Sequence, residues 1–254
     1  MSRINFIVLL FEFFSKKITL YALFMLLSFH SQAESESLKV RIVTEHLAPF
    51  QISDNYELIG GIVAIEVQQL INKILPENKI EVLPWARAFQ IASERPNTII
   101  FSLVRTPERE NKFIWIGKVA HVPMELITLK SSKLQTIKTL AELSDVQIGV
   151  KRLDAVTIWL ASQGLQFDKE LVEIVNTYTT MQMLEKGRID VIPSTQQVIE
   201  FYCKETGCKT SDFKTIYTLK KLSEEFYLAV SLGTDENLVK RLRAEFPLLD
   251  LPIQ

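Results

Sequence analysis

The sequence predicts an α/β protein with mostly parallel sheets, and three observations predict it. Strand-like and helix-like segments alternate along the chain, the pattern of stacked βαβ units. The run Thr98, Ile99, Ile100, Phe101 is β-branched and aromatic without polar alternation, which suits a strand covered on both faces. After Gly60-Gly61, the residues Val63, Val67, Leu70, Ile71 and Ile74 recur at helical spacing and mark one apolar face.

Taken in order, residues 38–44 form a first strand, 79–83 a second, 85–93 a helix and 98–104 a third strand, together one lobe. Thr106 is suited to cap a helical turn, because its hydroxyl can take an orphan backbone N–H, and Pro107 at the first helical position loses no useful donor. Arg109 then falls in the first turn, beside the C-terminal edge of the strand, where open α/β sheets collect ligands. A guanidinium there has the shape to grip a carboxylate through two parallel bonds. The same residue also reads as a surface arginine paired with Glu108 or Glu110, and Arg105 as one that faces solvent or pairs with Glu108.

A strand-like run at 122–129 leads into 139–143, and a strand at 146–150 with a helix over 154–163 restarts the alternation. Asp154 is a good N-cap for that helix and suits its dipole. There follow a strand at 171–175, a helix over 179–186 ended by Gly187, a strand at 189–192 and a helix over 194–204. A last strand at 226–231 and a helix opened by Asp235 complete the chain, and periodicity alone assigns these final elements to neither lobe.

Residues 1–33 read as a leader rather than as part of the fold. Lys16 and Lys17 precede an apolar run too short to span a bilayer comfortably, and Ser31-Gln32-Ala33 offers a small-x-small cleavage site before polar Glu34-Ser35-Glu36-Ser37. Cleavage near Ala33 and a soluble periplasmic product are therefore expected, with a retained N-terminal anchor as the alternative. No cysteine stands at the junction to carry a lipid. Removal leaves 254 − 33 = 221 residues, enough for one large domain or two small lobes. The formal charge becomes (29 − 3) − (30 − 1) = −3, no basic field for nucleic acid. The three histidines include His30 in the leader, and no zinc-type ligand spacing appears, so neither metal nor cofactor is expected.

Ser102 to Gly117 resembles a segment of the bacterial periplasmic solute-binding proteins of the polar amino-acid type (family 3), which reads Thr-x-x-Arg followed by an aromatic strand. Other landmarks fall in the same order as in that family: Ala48-Pro49-Phe50, Gly60-Gly61, Pro84-Trp85-Ala86-Arg87, Ile148-Gly149-Val150 and Gly187-Arg188-Ile189-Asp190. The resemblance covers roughly the whole mature chain. It implies a two-lobed fold in which the chain crosses twice, with 34–122 plus 226–254 in one lobe, 123–225 in the other and a cleft between them.

The resemblance also implies roles. Arg109 would hold the ligand's α-carboxylate, with Ser102 and Thr106 from the same segment nearby, and Trp85 would supply an aromatic wall, although it reads equally well as core filler. Glu45 and His46 in the first strand-to-helix loop would stand on the rim; the neighbouring Leu47 replaces a common aromatic, which leaves Trp85 a larger share of recognition. Two departures stand out. Lys151-Arg152-Leu153-Asp154 replaces the small or hydroxyl residues usual after the Gly149-Val150 strand, so Asp154 brings its own charge to an anion site. Thr195 stands near where an aspartate commonly meets the ligand's ammonium, and a threonine cannot neutralise it.

The function implied is a monomeric, non-catalytic receptor that closes on a small carboxylate-bearing, amino-acid-like solute, for an inner-membrane ABC permease or a membrane sensor. A dehydratase-like enzyme using Asp154, Glu45 and His46 for acid–base chemistry is one rival, and a protein that works through a partner surface is another. In an oxidising compartment, Cys203 and Cys208 are expected to form a disulfide, since Gly207 breaks the helix between them; a metal site is the alternative.

Overall fold

Strand β5 (Thr98–Val104) is buried along its whole length, and the first sheet is built around it. A computed structural model describes residues 39–251 except 221, 223 and 224; the expected leader and its cleavage site near Ala33 lie outside the described residues. Sheet order is β4 (Ile80–Val82), β1 (Arg41–Thr44), β5, β12 (Glu225–Ser231), β6 (Phe113–His121). β1 pairs in parallel with β4 on one side and β5 on the other. β12 runs antiparallel to both β5 and β6. Parallel pairing is thus confined to the strands joined through helices, and the strand that returns from the second lobe makes the antiparallel pairs.

Both faces of this sheet are covered, which is why β5 needs no polar side. On one face, α1 (Ala64–Ile74) buries Val67, Leu70, Ile71 and Ile74 against Ile42, Phe101 and Leu228. α6 (Glu236–Glu245) joins the same layer, and Arg241 donates to the Ile74 carbonyl at the end of α1. On the other face, α2 (Trp85–Glu94) sets Trp85, Ala88 and Phe89 against Val43, Ile100 and Phe113. Burial of each such side chain contributes about 1.5–3 kcal/mol.

The second lobe has β7 (Glu125–Leu129) at its centre, antiparallel to β10 (Ile192–Ser194) and β11 (Phe213–Thr218). β8 (Ile148–Lys151) pairs in parallel with β9 (Leu171–Ile174), and an isolated bridge from Ile148 to Val191 ties this pair to the rest. Three helices cover it: α3 (Ala155–Ser162), α4 (Thr177–Glu185) and α5 (Gln196–Thr206). The chain leaves the first sheet after β6 and comes back at β12, so the two-lobed architecture with two crossings is present. Cys203 and Cys208 are bonded to each other, and Gly207, at φ 81°, ends α5 between them.

Three local features differ from the sequence expectation. Thr106 does not begin a helix: the segment between Val104 and Phe113 forms successive tight turns, with Arg109 N donating to Thr106 O and Lys112 N to Arg109 O, both at 3.0 Å. Residues 105–112 are taken up by these turns, so Arg109 sits in a turn rather than on a helix. A hairpin of β2 (Ile52–Asp54) and β3 (Glu57–Gly60) turns through Asn55 and Tyr56, both at positive φ, and a tyrosine there carries none of the glycine signal that marks such turns. β11 has no counterpart among the expected strands, because Lys214 and Thr215 interrupt its apolar pattern.

Gly61 opens the way from β3 to α1 at φ +115°, and a Cβ there would stand 2.8 Å from Gln51 Cα and closer still to the Phe50 carbonyl. Since that contact is with backbone, no side-chain adjustment relieves it. Gly61→Ala is expected to destabilise the protein by about 1–3 kcal/mol, read from the shift in urea unfolding midpoint. An unchanged midpoint would show that the 50–61 segment yields freely.

Candidate functional site

The strand ends of the two lobes face each other across a cavity of ≈ 60 Å³. By that measure a water needs about 10–15 Å³, so the space suits a few waters or part of a small solute. The first lobe contributes Glu45 just after β1, Trp85 at the start of α2, Ser102 within β5 and Arg109 in the turns after β5. The second contributes Lys151 at the end of β8, Asp154 before α3, Ser194 at the end of β10 and Thr195 before α5. Apart from Ser102 within β5 and Arg109 in the turns after it, these stand at a strand's C-terminal end or a helix start, as open α/β sheets place their ligand sites.

Arg109 is 2% exposed. Its Nη1 donates to the Val104 carbonyl at 3.0 Å, and its Nη2 reaches across to the Leu153 carbonyl of the second lobe at 2.9 Å. The guanidinium carbon lies 4.5 Å from the centre of the Phe89 ring and 5.7 Å from that of Trp85. Burial pulls its pKa down to about 10, against the attraction of Asp154 and Glu108, so it remains a cation at neutral pH. Glu110 does not pair with it; that carboxylate receives Arg105, which also lies over the Trp115 ring at 5.2 Å.

Lys151, which is not among the residues expected at the site, also lines the cavity. Its Nζ lies 2.6 Å from Glu45 Oε1, 3.6 Å from Asp154 Oδ2 and 5.8 Å from the centre of the Trp85 ring. Burial alone would lower the pKa of this ammonium, but the carboxylates of Glu45 and Asp154 raise it above the ordinary value. Its position as the last residue of a strand pointing at the cleft was the available signal. Asp154 meanwhile caps α3, accepting from Val156 N at 2.9 Å, and Thr195 caps α5, accepting from Val198 N at 3.3 Å.

Two polar atoms of residues lining the cavity, Trp85 Nε1 and Ser194 Oγ, are buried without a hydrogen-bond partner among the described residues. Trp85 therefore occupies both roles left open by the sequence: its ring packs in the core with Phe89, and the side chain lines the cavity. Ser102 sits at φ 59° where β5 kinks against β12, and its hydroxyl accepts from Gln51 Nε2. A serine held in the left-handed region costs about 1–3 kcal/mol, and such strain clusters at sites the surrounding fold over-determines.

Thr106 and His46 do not line this cavity. Thr106 stays in the turn, where its hydroxyl interacts with Glu108. His46 accepts from Ser53 N at its Nδ1, at 3.1 Å, and faces a smaller neighbouring cavity with Tyr178 and Tyr202.

Two measurements follow from this geometry. Removing one partner of a buried ion pair typically costs about 3–5 kcal/mol, so Lys151→Met should destabilise by an amount of that order, while Glu45→Gln added to it restores most of the loss. Urea unfolding of the two single variants and the double variant checks this; additive losses would mean that the pair does not couple the lobes. His46 has its pKa lowered from 6.5 by burial, so its contribution to stability is complete above 6.5 and is lost as pH falls through the lower folded value. Between those limits wild type should lose stability relative to His46→Gln, measured as unfolding midpoints on both sides of pH 6.5.

No protein-family model and no curated protein matches this sequence. Solved structures do. The arginine-bound form of truncated ArgBP from T. maritima is 14% identical, over 82% of this chain and 95% of that one, with a TM-score of 0.67. A histidine kinase sensor domain described as similar to periplasmic binding proteins is 14% identical over 83% of this chain and 90% of that one, also at 0.67. A structure from work on glutathione import through GshT and the cystine ABC importer TcyBC of Streptococcus mutans is 18% identical over 82% and 87%, at 0.65. At this level of identity the likeness is one of fold, and the chain has the two-lobed fold of periplasmic binding proteins.

Proposed function

We propose that this chain is an exported solute-binding protein whose two lobes close on a small carboxylate-bearing solute, for delivery to a membrane permease or for sensing by a membrane partner. The observation that carries the reading is Arg109: a buried cation at the cavity, whose hydrogen-bond acceptors among the described residues are two neutral carbonyls, one from each lobe. A carboxylate in the cleft would replace the Leu153 carbonyl with a charged acceptor and form the stronger, charge-assisted bond. The unpartnered Trp85 N–H and Ser194 hydroxyl are further groups for ligand oxygens beyond the carboxylate that Arg109 would hold. The Cys203–Cys208 disulfide fits an oxidising compartment. The arginine-bound and importer-related structures with this fold support a binding role, and the sensor domain supports the sensing variant equally.

An acid–base catalytic site is less well supported. His46 faces a different cavity, and Glu45 and Asp154 are both held by Lys151.

Arg109→Ala should weaken binding of a carboxylate solute by roughly ten- to a hundredfold, the worth of a charge-assisted bond of about 1.5–3 kcal/mol. Arg109→Lys keeps the charge without the planar fork and recovers only part of the affinity. Arg105→Ala, whose partners are Glu110 and the Trp115 ring, should leave affinity nearly unchanged. Isothermal titration against a panel of organic and amino acids reads all three; undiminished affinity in Arg109→Ala, or a best ligand without an anionic group, would overturn the proposal.

A further inference from the structure

Lys151 places its ammonium where a ligand's ammonium would find its partners. Glu45 Oε1 at 2.6 Å and Asp154 Oδ2 at 3.6 Å provide two carboxylates, and the face of Trp85 lies 5.8 Å away. Glu45 is 5% exposed, so that carboxylate has little water to serve as an alternative partner. Among the described residues lining the cavity, Glu45 and Asp154 are the only carboxylates, and a side chain of the protein itself takes up both. Arg109 is left differently, with neutral carbonyls for acceptors.

We infer that Lys151 is a resident stand-in for a ligand ammonium group, and that the cleft consequently selects solutes with a carboxylate and no α-ammonium, such as 2-hydroxy acids, over zwitterionic amino acids. The inference rests on the proposed binding role and sharpens its ligand class. Two physical arguments support it. An incoming ammonium would have to share Glu45 and Asp154 with Lys151 at close range, and like charges in a partly buried site repel strongly. An ammonium also accepts no hydrogen bond, so it cannot satisfy the orphaned Trp85 N–H, whereas a ligand hydroxyl oxygen can. The Ser194 hydroxyl, likewise without a partner, can then donate to or accept from that same group.

Matched pairs that share a carbon skeleton test this: lactate with alanine, 2-hydroxyisovalerate with valine, phenyllactate with phenylalanine. Wild-type protein should bind the hydroxy acid of at least one pair about tenfold or more tightly than its amino acid by isothermal titration. In Lys151→Met the preference should move towards the amino acid by about tenfold or more, since Glu45 and Asp154 then await a cation. Adding Glu45→Gln should abolish that gain. If Lys151→Met is too unstable to titrate, thermal shift on the same protein reads the same preference, because an ammonium-bearing ligand restores the missing partner and raises its Tm. Amino acids binding wild type as tightly as hydroxy acids, or a ratio unmoved by Lys151→Met, would overturn the role of Lys151 and leave the binding reading standing. Silence of every pair in both proteins would overturn the carboxylate-binding reading itself.

Discussion

Two buried cations face the same small space, and each has to be satisfied without water. A desolvated ion is tolerated only when hydrogen bonds or opposite charges replace its hydration, and here the replacements come from across the cleft. Arg109, from the first lobe, reaches the Leu153 carbonyl; Lys151, from the second, reaches Glu45. Both contacts exist only while the strand ends face each other. The geometry of the cleft and the electrostatics of the two cations are therefore one constraint, and the surrounding structure is arranged to meet it.

The backbone shows how. Ser102 and Leu153 both adopt positive φ, at 59° each, and they flank the cavity from opposite lobes. At Ser102 the kink interrupts an otherwise regular buried strand and lets its hydroxyl meet Gln51. At Leu153 the turn between β8 and α3 aims a carbonyl at Arg109 while Asp154, the next residue, still caps the helix. Neither residue is a glycine: Ser102 is held in the buried strand, whereas Leu153, 36% exposed, is tied by its carbonyl's bond to Arg109. Gly149, two residues before Lys151, allows that approach on the second side: a Cβ there would meet the side chains of Ile174 and Thr180 at 2.9 and 3.0 Å.

The aromatic residues couple this site to the core. Trp85, Phe89, Phe113 and Trp115 form a chain of ring contacts spaced 5.8–5.9 Å, running from the cavity along one face of the first sheet. Phe89 and Trp85 present their faces to Arg109, an arrangement that stabilises a desolvated cation through the ring quadrupole. The same side chains thus hold α2 to the sheet and form the wall of the site.

Much was determined by the sequence alone. The buried run of β5, the amphipathic face of α1, the caps at Asp154 and Asp235, and the Cys203–Cys208 pairing all follow from short-range preferences that a single segment expresses by itself. The position of Arg109 after a buried strand was legible for the same reason. What the tertiary structure decided is everything that depends on two distant segments meeting. The turns at 106–112 stand where a helical turn is expected, and the β2–β3 hairpin turns on Asn55 and Tyr56, exposed residues at positive φ that no glycine marks. Lys151 is the clearest case: in the sequence it is one lysine of a charged loop, and only the approach of Glu45, 106 residues away, makes it part of a site. Local pattern encodes elements, whereas charge pairing across a cleft is a property of the three-dimensional arrangement.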